Sequence, residues 1–262
     1  MKAGLKLWSN NADTYLEEAR RLFQMGACSY LELYVVPGTL NYLDDWKGLD
    51  IPFTIHCPHS MHGFNLANPE LESHNKEVFK EVRQYADSLN ADYIVIHGGL
   101  RDSTNEQDMA RETARQLKNL NDARAVIENK PYLAIPHPEF EGKVCVGYNK
   151  KELSEIISVA GCGFCLDIVH AVCAANSCKI DYFEYIKDLI TLKPTMFHMS
   201  GADNPATVYD SHLHLKEDRI GLKKIAALLP DDAKVSLETK KSSKTSLDDF
   251  IEDEKFFNEL KQ

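Results

Sequence analysis

The sequence predicts an α/β fold of the (β/α)8 barrel class in a single domain, and three observations carry that prediction. The chain has 262 residues, close to the roughly 250 that such a barrel takes. Eight short apolar runs alternate with helix-compatible stretches, and no linker divides them, so one domain spans 1–262. Six of those runs in succession end in His, Asp or Glu, which suits a barrel, where side chains at C-terminal strand ends meet at one mouth. A doubly wound open sheet is the alternative. It is weakened because no G-x-G-x-x-G follows the first strand.

In chain order, the first strand is read at 4–7 and the first helix at 11–25, stopped by Gly26 as a glycine just past a helix end stops it. A strand at 30–36 (YLELYVV) follows, then room for a short helix at 39–46 and a strand at 53–55. Helix 69–89, strand 93–96, helix 106–120 and strand 125–127 come next. Helix 151–160 precedes strand 163–166, after which DIVHAVCAA permits a turn into a loop or helix. Helix 182–189, strand 195–197, helix 222–229, strand 234–237 and helix 247–260 complete the series. Most of the strands read as near-continuous apolar runs, the pattern of strands buried on both faces.

Composition narrows the function classes. With 30 Lys and Arg against 40 Asp and Glu the net charge is −10, which argues against a protein that coats polyanions non-specifically. A local positive site stays open, because bound metal ions can reverse the sign of charge locally. No stretch approaches the roughly 18 apolar residues of a spanning helix, and the N-terminus lacks an export-type apolar run. Seven cysteines, an odd count without an extracellular framework, point to reduced thiols and a cytoplasmic location. Cys162 and Cys165 form a C-x-x-C pair inside an apolar run and read as buried core thiols.

The chemistry gathers at the strand ends. FTI is followed by His56, YIVI by His97, AVI by Glu128, FCL by Asp167 and then His170, TMF by His198 and VSL by Glu238. One such residue is ordinarily a hydrogen-bonded or solvated side chain. Six together would be wasteful for stability, since buried carboxylates need a partner or a metal. A shared divalent-metal site is the economical explanation. In the loop after the seventh strand, Asp210 and His212 stand two apart, so an extended segment points both to one side.

The segments HCPH, VIHGG, VIEN, LDIVHA, FHMSGAD, YDSHLHLKEDRIG and LET resemble, in that order, the endonuclease IV and xylose-isomerase-like TIM-barrel superfamily over about residues 51–240. The resemblance implies two possible centres. Sugar isomerases and epimerases of the superfamily hold one metal on positions matching Glu128, Asp167, His198 and Glu238. The endonuclease IV branch holds three zinc ions, with further ligands matching His56, His97, His170, Asp210 and His212. The D-x-H followed by Gly221 is the endonuclease-like signal. For the first ligand, His56 starts an H-x-P pattern, whereas His59 has the better spacing to Asn65-Leu66; His56 is preferred, and His59 falls where the family often carries an aromatic.

The rim departs from the DNA-cutting branch. Lys130-Pro131-Tyr132 replaces a small glycine-containing loop, and Asp44 and Asp45 beside Tyr42 and Trp46 would repel phosphates. Arg101, Lys130, Lys240 and Lys241 remain as basic candidates for substrate contact, with His59 beside them. His62, His74, His137 and His214 are read as loop or substrate-contact residues.

The expectation is therefore a hydrolase of phosphate esters with up to three Zn ions (Mn, Co or Fe being acceptable to the same donors), and Glu128 and Glu238 as catalytic carboxylates. Its substrate would be abasic-site DNA by resemblance, or a smaller phosphorylated compound. The alternative is a sugar or sugar-phosphate isomerase or epimerase with one divalent ion and the same glutamate pair. No membrane partner and no obligate protein partner is expected.

Overall fold

The computed structural model describes residues 1–101 and 106–260. Its ten strands in chain order are β1 (Lys2–Trp8), β2 (Tyr30–Tyr34), β3 (Phe53–His56), β4 (Ile94–His97), β5 (Leu100–Arg101), β6 (Ala125–Glu128), β7 (Val144–Cys145), β8 (Gly163–Asp167), β9 (Met196–Met199) and β10 (Lys234–Leu237). Eight of them close a parallel barrel in the order β1-β10-β9-β8-β6-β4-β3-β2. The other two, β5 and β7, form a small antiparallel ribbon outside it. The helices are α1 (Ala12–Gln24), α2 (Leu43–Lys47), α3 (Glu72–Ser88), α4 (Glu106–Leu120), α5 (Lys150–Ala160), α6 (Ile168–Ser177), α7 (Tyr182–Ile190), α8 (Leu222–Ala226) and α9 (Asp248–Glu259). This is a (β/α)8 barrel, as the sequence predicts.

The strands are not apolar on both faces alike. Residues of one parity, such as Leu5, Leu31, Ile55, Ile96, Ile127, Leu166, Phe197 and Leu237, pack outward into the main core with the helices. Residues of the other parity fill the lumen. Val95, Val126, Cys165 and Met196 make a small apolar plug there, and Glu32, Thr54, His56, Glu128, Asp167, His198 and Ser236 are buried polar positions of the same parity, with Lys6 and His97 partly buried among them.

Three local departures from the sequence reading have plain causes. The segment after Asp167 is a regular helix, α6, with eight of its ten residues buried; a helix buried all round shows no amphipathic period to read. Helix α8 ends at Ala226 because the next turn tightens, Leu228 N bonding Ile225 O and Leu229 N bonding Ala226 O. The β5–β7 ribbon involves two residues from each strand, too few to carry a periodic signal. Among the described residues no helix is long and apolar enough to cross a membrane.

Candidate metal centre

The parallel register brings the strand-end residues side by side. His97 and Glu128 are register partners on β4 and β6, and His97 Nε2 lies 2.8 Å from Glu128 Oε2. His56 Nε2 reaches the same oxygen at 3.1 Å. Asp167 and His198 are partners on β8 and β9. His198 Nδ1 lies 2.6 Å from Glu238 Oε1 and 3.7 Å from Glu128 Oε2. Asp167 is the N-cap of α6, its Oδ1 accepting from His170 N at 2.6 Å, so the helix begins where His170 must turn back toward Glu128. His170 Nδ1 is 2.8 Å from Glu128 Oε1.

A third group closes around Asp210. Its Oδ2 is 3.3 Å from His170 Nε2 and 3.2 Å from His212 Nε2. His212 adopts φ 48°, in the left-handed region that is uncommon for residues other than glycine. This turns its ring back so that Nδ1 meets Glu238 O at 3.0 Å. All nine strand-end and loop residues singled out in the sequence thus lie in one connected cluster.

The hydrogen bonds around this cluster fit a metal centre. A carbonyl oxygen only accepts, so a ring nitrogen facing one carries the proton. His56 Nδ1 faces Cys57 O at 2.7 Å, His170 Nδ1 faces Asn129 O at 2.9 Å, and His212 Nδ1 faces Glu238 O. Each Nε2 is thereby left with its lone pair toward a carboxylate oxygen. His198 is turned round: Nε2 donates to Glu32 Oε2 at 2.9 Å, leaving Nδ1 toward Glu238. This is the outer-contact pattern that orients metal-binding histidines. Glu128 Oε1, His198 Nδ1 and Asp210 Oδ2 are buried without a hydrogen-bond partner. Lone pairs aimed at carboxylates repel unless a cation stands between them, and the mixed His and carboxylate donors suit Zn, Mn, Co or Fe.

Where no metal stands, protons take part of that role. Burial opposes a charge on His170, yet Asp167 and then Asp210 and Glu128 carry its pKa up to about 10. His198 is likewise raised well above the usual value, against burial, by Cys165 and by Glu238, Glu32 and Glu128. His56 is held low by burial and Lys6, and His97 by burial and Lys130, so both are neutral and able to ligate. Burial pushes Asp167 up to about 6, helped by Asp210, Glu128 and Glu238.

Two residues of this network were not singled out in the sequence. Glu32, fully buried in the middle of β2, accepts from His198 Nε2 and from Ser236 Oγ. Lys6 on β1 ion-pairs with Glu32 at 3.2 Å and with Glu238. Their signal was present: a charged residue inside a strand of a closed sheet faces the lumen and must find a partner there.

The substrate candidates separate. Lys130 Nζ stands 3.3 Å from His97 Nε2 and 3.4 Å from His170 Nε2, deep between two donor groups. His59 lines the cavity and stacks on His97 with centroids 6.0 Å apart; burial and the charge of Lys130 lower its pKa to about 3. Its Nδ1 accepts from Met61 N, and it is His56 that stands among the donor atoms. Arg101 is not brought to the cavity. Its guanidinium pairs with Glu152 and lies over the Tyr148 ring. Lys240 is exposed and outside the lining, whereas Lys241 lines it, with Nζ donating to Thr239 O at 2.7 Å. Trp46 is fully buried, donating to Ser9 O, so the loop after β2 offers no tryptophan to a ligand. His214 braces α9 through Asp253 at 2.8 Å, and His62 bonds Tyr34 Oη at 2.7 Å. All seven cysteines are free thiols, Cys165 buried and Cys162 partly so.

Seven of the nine clustered residues, all but Asp167 and His198, form the polar floor of a cavity of about 540 Å³, lined also by Trp8, Tyr34, Met61, Leu133, Ile135 and Tyr209. Solved structures share the architecture. The TTHB071 protein from Thermus thermophilus, soaked with zinc chloride, is 19% identical over 100% of this chain and 98% of its own, with a TM-score of 0.68. A D-tagatose 3-epimerase-like protein is 17% identical over 99% and 97%, with a TM-score of 0.74. Endonuclease IV from Thermus thermophilus is 17% identical over 99% and 98%, with a TM-score of 0.65. Among curated proteins none matches the sequence. The family pattern for the xylose isomerase-like TIM barrel matches residues 42–260, and the chain belongs to that family.

Proposed function

We propose that this protein is a metal-dependent hydrolase of phosphate esters, acting on a small phosphorylated compound in preference to abasic-site DNA. The observation that carries the reading is the third donor group. His170 Nε2 and His212 Nε2 converge on a buried, unpartnered Asp210 oxygen at 3.3 and 3.2 Å, an arrangement for which a one-ion isomerase has no use. His56, His97 and Glu128 stand close enough to hold one ion; by the family resemblance Glu128, Asp167, His198 and Glu238 would hold a second, and His170, Asp210 and His212 a third. Such ions supply positive charge to phosphoryl oxygens and bring the pKa of a water molecule near neutrality.

The chain's own residues do the rest. Glu128 presents one oxygen to His56 and His97 and the other toward His170, so it ties the groups together. Lys130 adds a fixed positive charge between the first and third groups, where phosphoryl oxygens would gather. Lys6 holds Glu238 and Glu32 in place from below. A small substrate is favoured because no arginine is among the described residues lining the cavity, Trp46 is buried, and the exposed Asp44 and Asp45 of α2 would repel the phosphates of a duplex brought near them.

One observation favours the isomerase reading. Glu128 and Glu238 approach His198 Nδ1 together, at 3.7 and 2.6 Å, as a carboxylate pair sharing one ion would. Elemental analysis of purified protein decides between the two, with parallel assays on an abasic duplex and on small phosphate esters. About three divalent ions per chain and release of phosphate from small esters are expected. One ion per chain with no hydrolysis would overturn the proposal in favour of isomerisation.

A further inference from the structure

Above the polar floor the cavity is lined by apolar groups, and these are unusually exposed. Eight large apolar side chains among the described residues are exposed, and four of them (Trp8 at 46%, Met61 at 50%, Ile135 at 46% and Tyr209 at 40%) line this one cavity. Scattered apolar side chains need no explanation, but a cluster at the mouth of a cavity marks a surface meant to be covered.

Both walls are built rather than loose. On one side Trp8, at the end of β1, packs against Tyr34 with ring centroids 5.3 Å apart. Tyr34 Oη in turn accepts from His59 N at 3.0 Å and bonds His62 Nδ1, fixing the wall. Opposite, the loop after β6 is held in shape by Cys145 N bonding Tyr132 O at 2.9 Å and Ala134 N bonding Lys143 O at 3.1 Å. It is seated on its own small core of Leu100, Ala134, Phe140 and Cys145. Leu133, Ile135, Phe140 and Tyr209 also line a second, adjoining cavity of about 260 Å³, which His137, Glu141 and Lys143 share, so it is of mixed character.

A phosphate gains nothing from these walls. The lysines of the lining, Lys6, Lys130 and Lys241, belong to the polar side, two of them in contact with the donor cluster. We propose that the substrate has two halves: an anionic head on the donor floor and an apolar group of about the size of an aryl ring. The apolar group sits between Trp8 and Met61 on one side and Ile135 and Tyr209 on the other. For its head the inference rests on the phosphate-ester reading; the apolar half stands on the walls alone.

The test uses metal-loaded protein and three probes that are not turned over by phosphate hydrolysis: phenylphosphonate, methylphosphonate and phenyl glucoside, with binding read by calorimetry. Phenylphosphonate is expected to bind at least about tenfold more tightly than methylphosphonate, from the apolar surface it buries. Trp8→Ala and Ile135→Ser should each bring that ratio toward one, while Met25→Ser, at an exposed apolar side chain outside the lining, should leave it unchanged. Equal affinity for the two phosphonates would overturn the apolar subsite and leave the phosphate reading standing. Phenyl glucoside bound in a Trp8-dependent way, with neither phosphonate bound, would keep the subsite and overturn the phosphate head. Binding of none of the three would overturn both.

Discussion

Glu32 Oε2 lies 2.9 Å from His198 Nε2 inside the barrel lumen, and this bond decides which nitrogen of the imidazole faces the donor floor. Both side chains are fully buried, so no water competes for the contact. Ser236 donates to the same carboxylate, and Lys6 balances its charge. Against the cost of burial, His198 and Lys6, with His56, hold the Glu32 carboxyl down at about 2. It is therefore ionised at any ordinary pH.

Replacing Glu32 by Gln keeps the shape and removes the charge that makes His198 a strong donor. Metal affinity is expected to fall by about 10- to 100-fold, the usual penalty for losing an orienting partner behind a metal-bound histidine. Competition against a chelator measures the loss, and an unchanged circular dichroism spectrum shows that the barrel still folds.

Exchanging Asp210 for Asn together with His212 for Ala dismantles the third donor group and leaves the donors of the other two groups untouched. Ion content should drop from about three to two per chain. Phosphate-ester hydrolysis should fall more than about a hundredfold, since charge on the reacting oxygens is worth several kcal/mol and each ~1.36 kcal/mol is tenfold. Unaltered turnover with this double variant would contradict the hydrolytic proposal.

Gly201 offers a way to disturb the same group from behind. Its amide bonds Leu213 O at 2.8 Å in an isolated bridge, beside the loop that carries Asp210 and His212. A Cβ at this position would stand 2.1 Å from His214 O, a backbone atom that cannot swing aside. Gly201→Ala should lower stability by about 1–3 kcal/mol, the range for forcing extra volume into packed structure. It should also release the third ion first, which melting curves and elemental analysis together would reveal.

Asp167 sets a pH limit on metal loading. Burial raises its carboxyl from 3.8 to about 6, so in the metal-free protein it holds a proton below that pH which an incoming ion must displace. Ion affinity is expected to weaken by about tenfold per pH unit below 6 from this group. For the metal-free fold the sign is opposite. The native state holds this proton more tightly than the unfolded chain, so the contribution to stability is complete below pH 3.8 and is lost as pH rises through about 6. Calorimetric titrations at about pH 5 and pH 7.5, with melts of chelated protein and of Asp167→Asn, check both halves.

The barrel and six of its clustered side chains were legible because strand ends are marked by a change from apolar to ligand-type residues, as in YIVIH and FTIH, while His170, Asp210 and His212 were read from their spacing in DIVH and DSH and from the family resemblance. Glu32 and Lys6 escaped because each sits inside a strand, where the surrounding Leu and Tyr residues read as continuous apolar sequence. The lumen parity of those strands becomes visible only once the sheet is known to close. Arg101 read as a basic group near a strand end, and only tertiary structure reveals that Glu152, fifty-one residues later, engages it. The apolar walls were equally hidden, since Trp8, Met61, Ile135 and Tyr209 are distant in sequence and share no motif.

The candidate donors run from His56 to Glu238, one to three from each of the six barrel segments that start at β3, β4, β6, β8, β9 and β10. Ions seated on them would stitch together parts of the polymer far apart along its contour, in the manner of removable cross-links. An ion that binds only the folded barrel adds about 2.7 kcal/mol when its free concentration is about a hundred times its Kd. The resistance of the whole barrel to heat would then rise and fall with the metal supply around it, making durability itself a gauge of how many seats are filled.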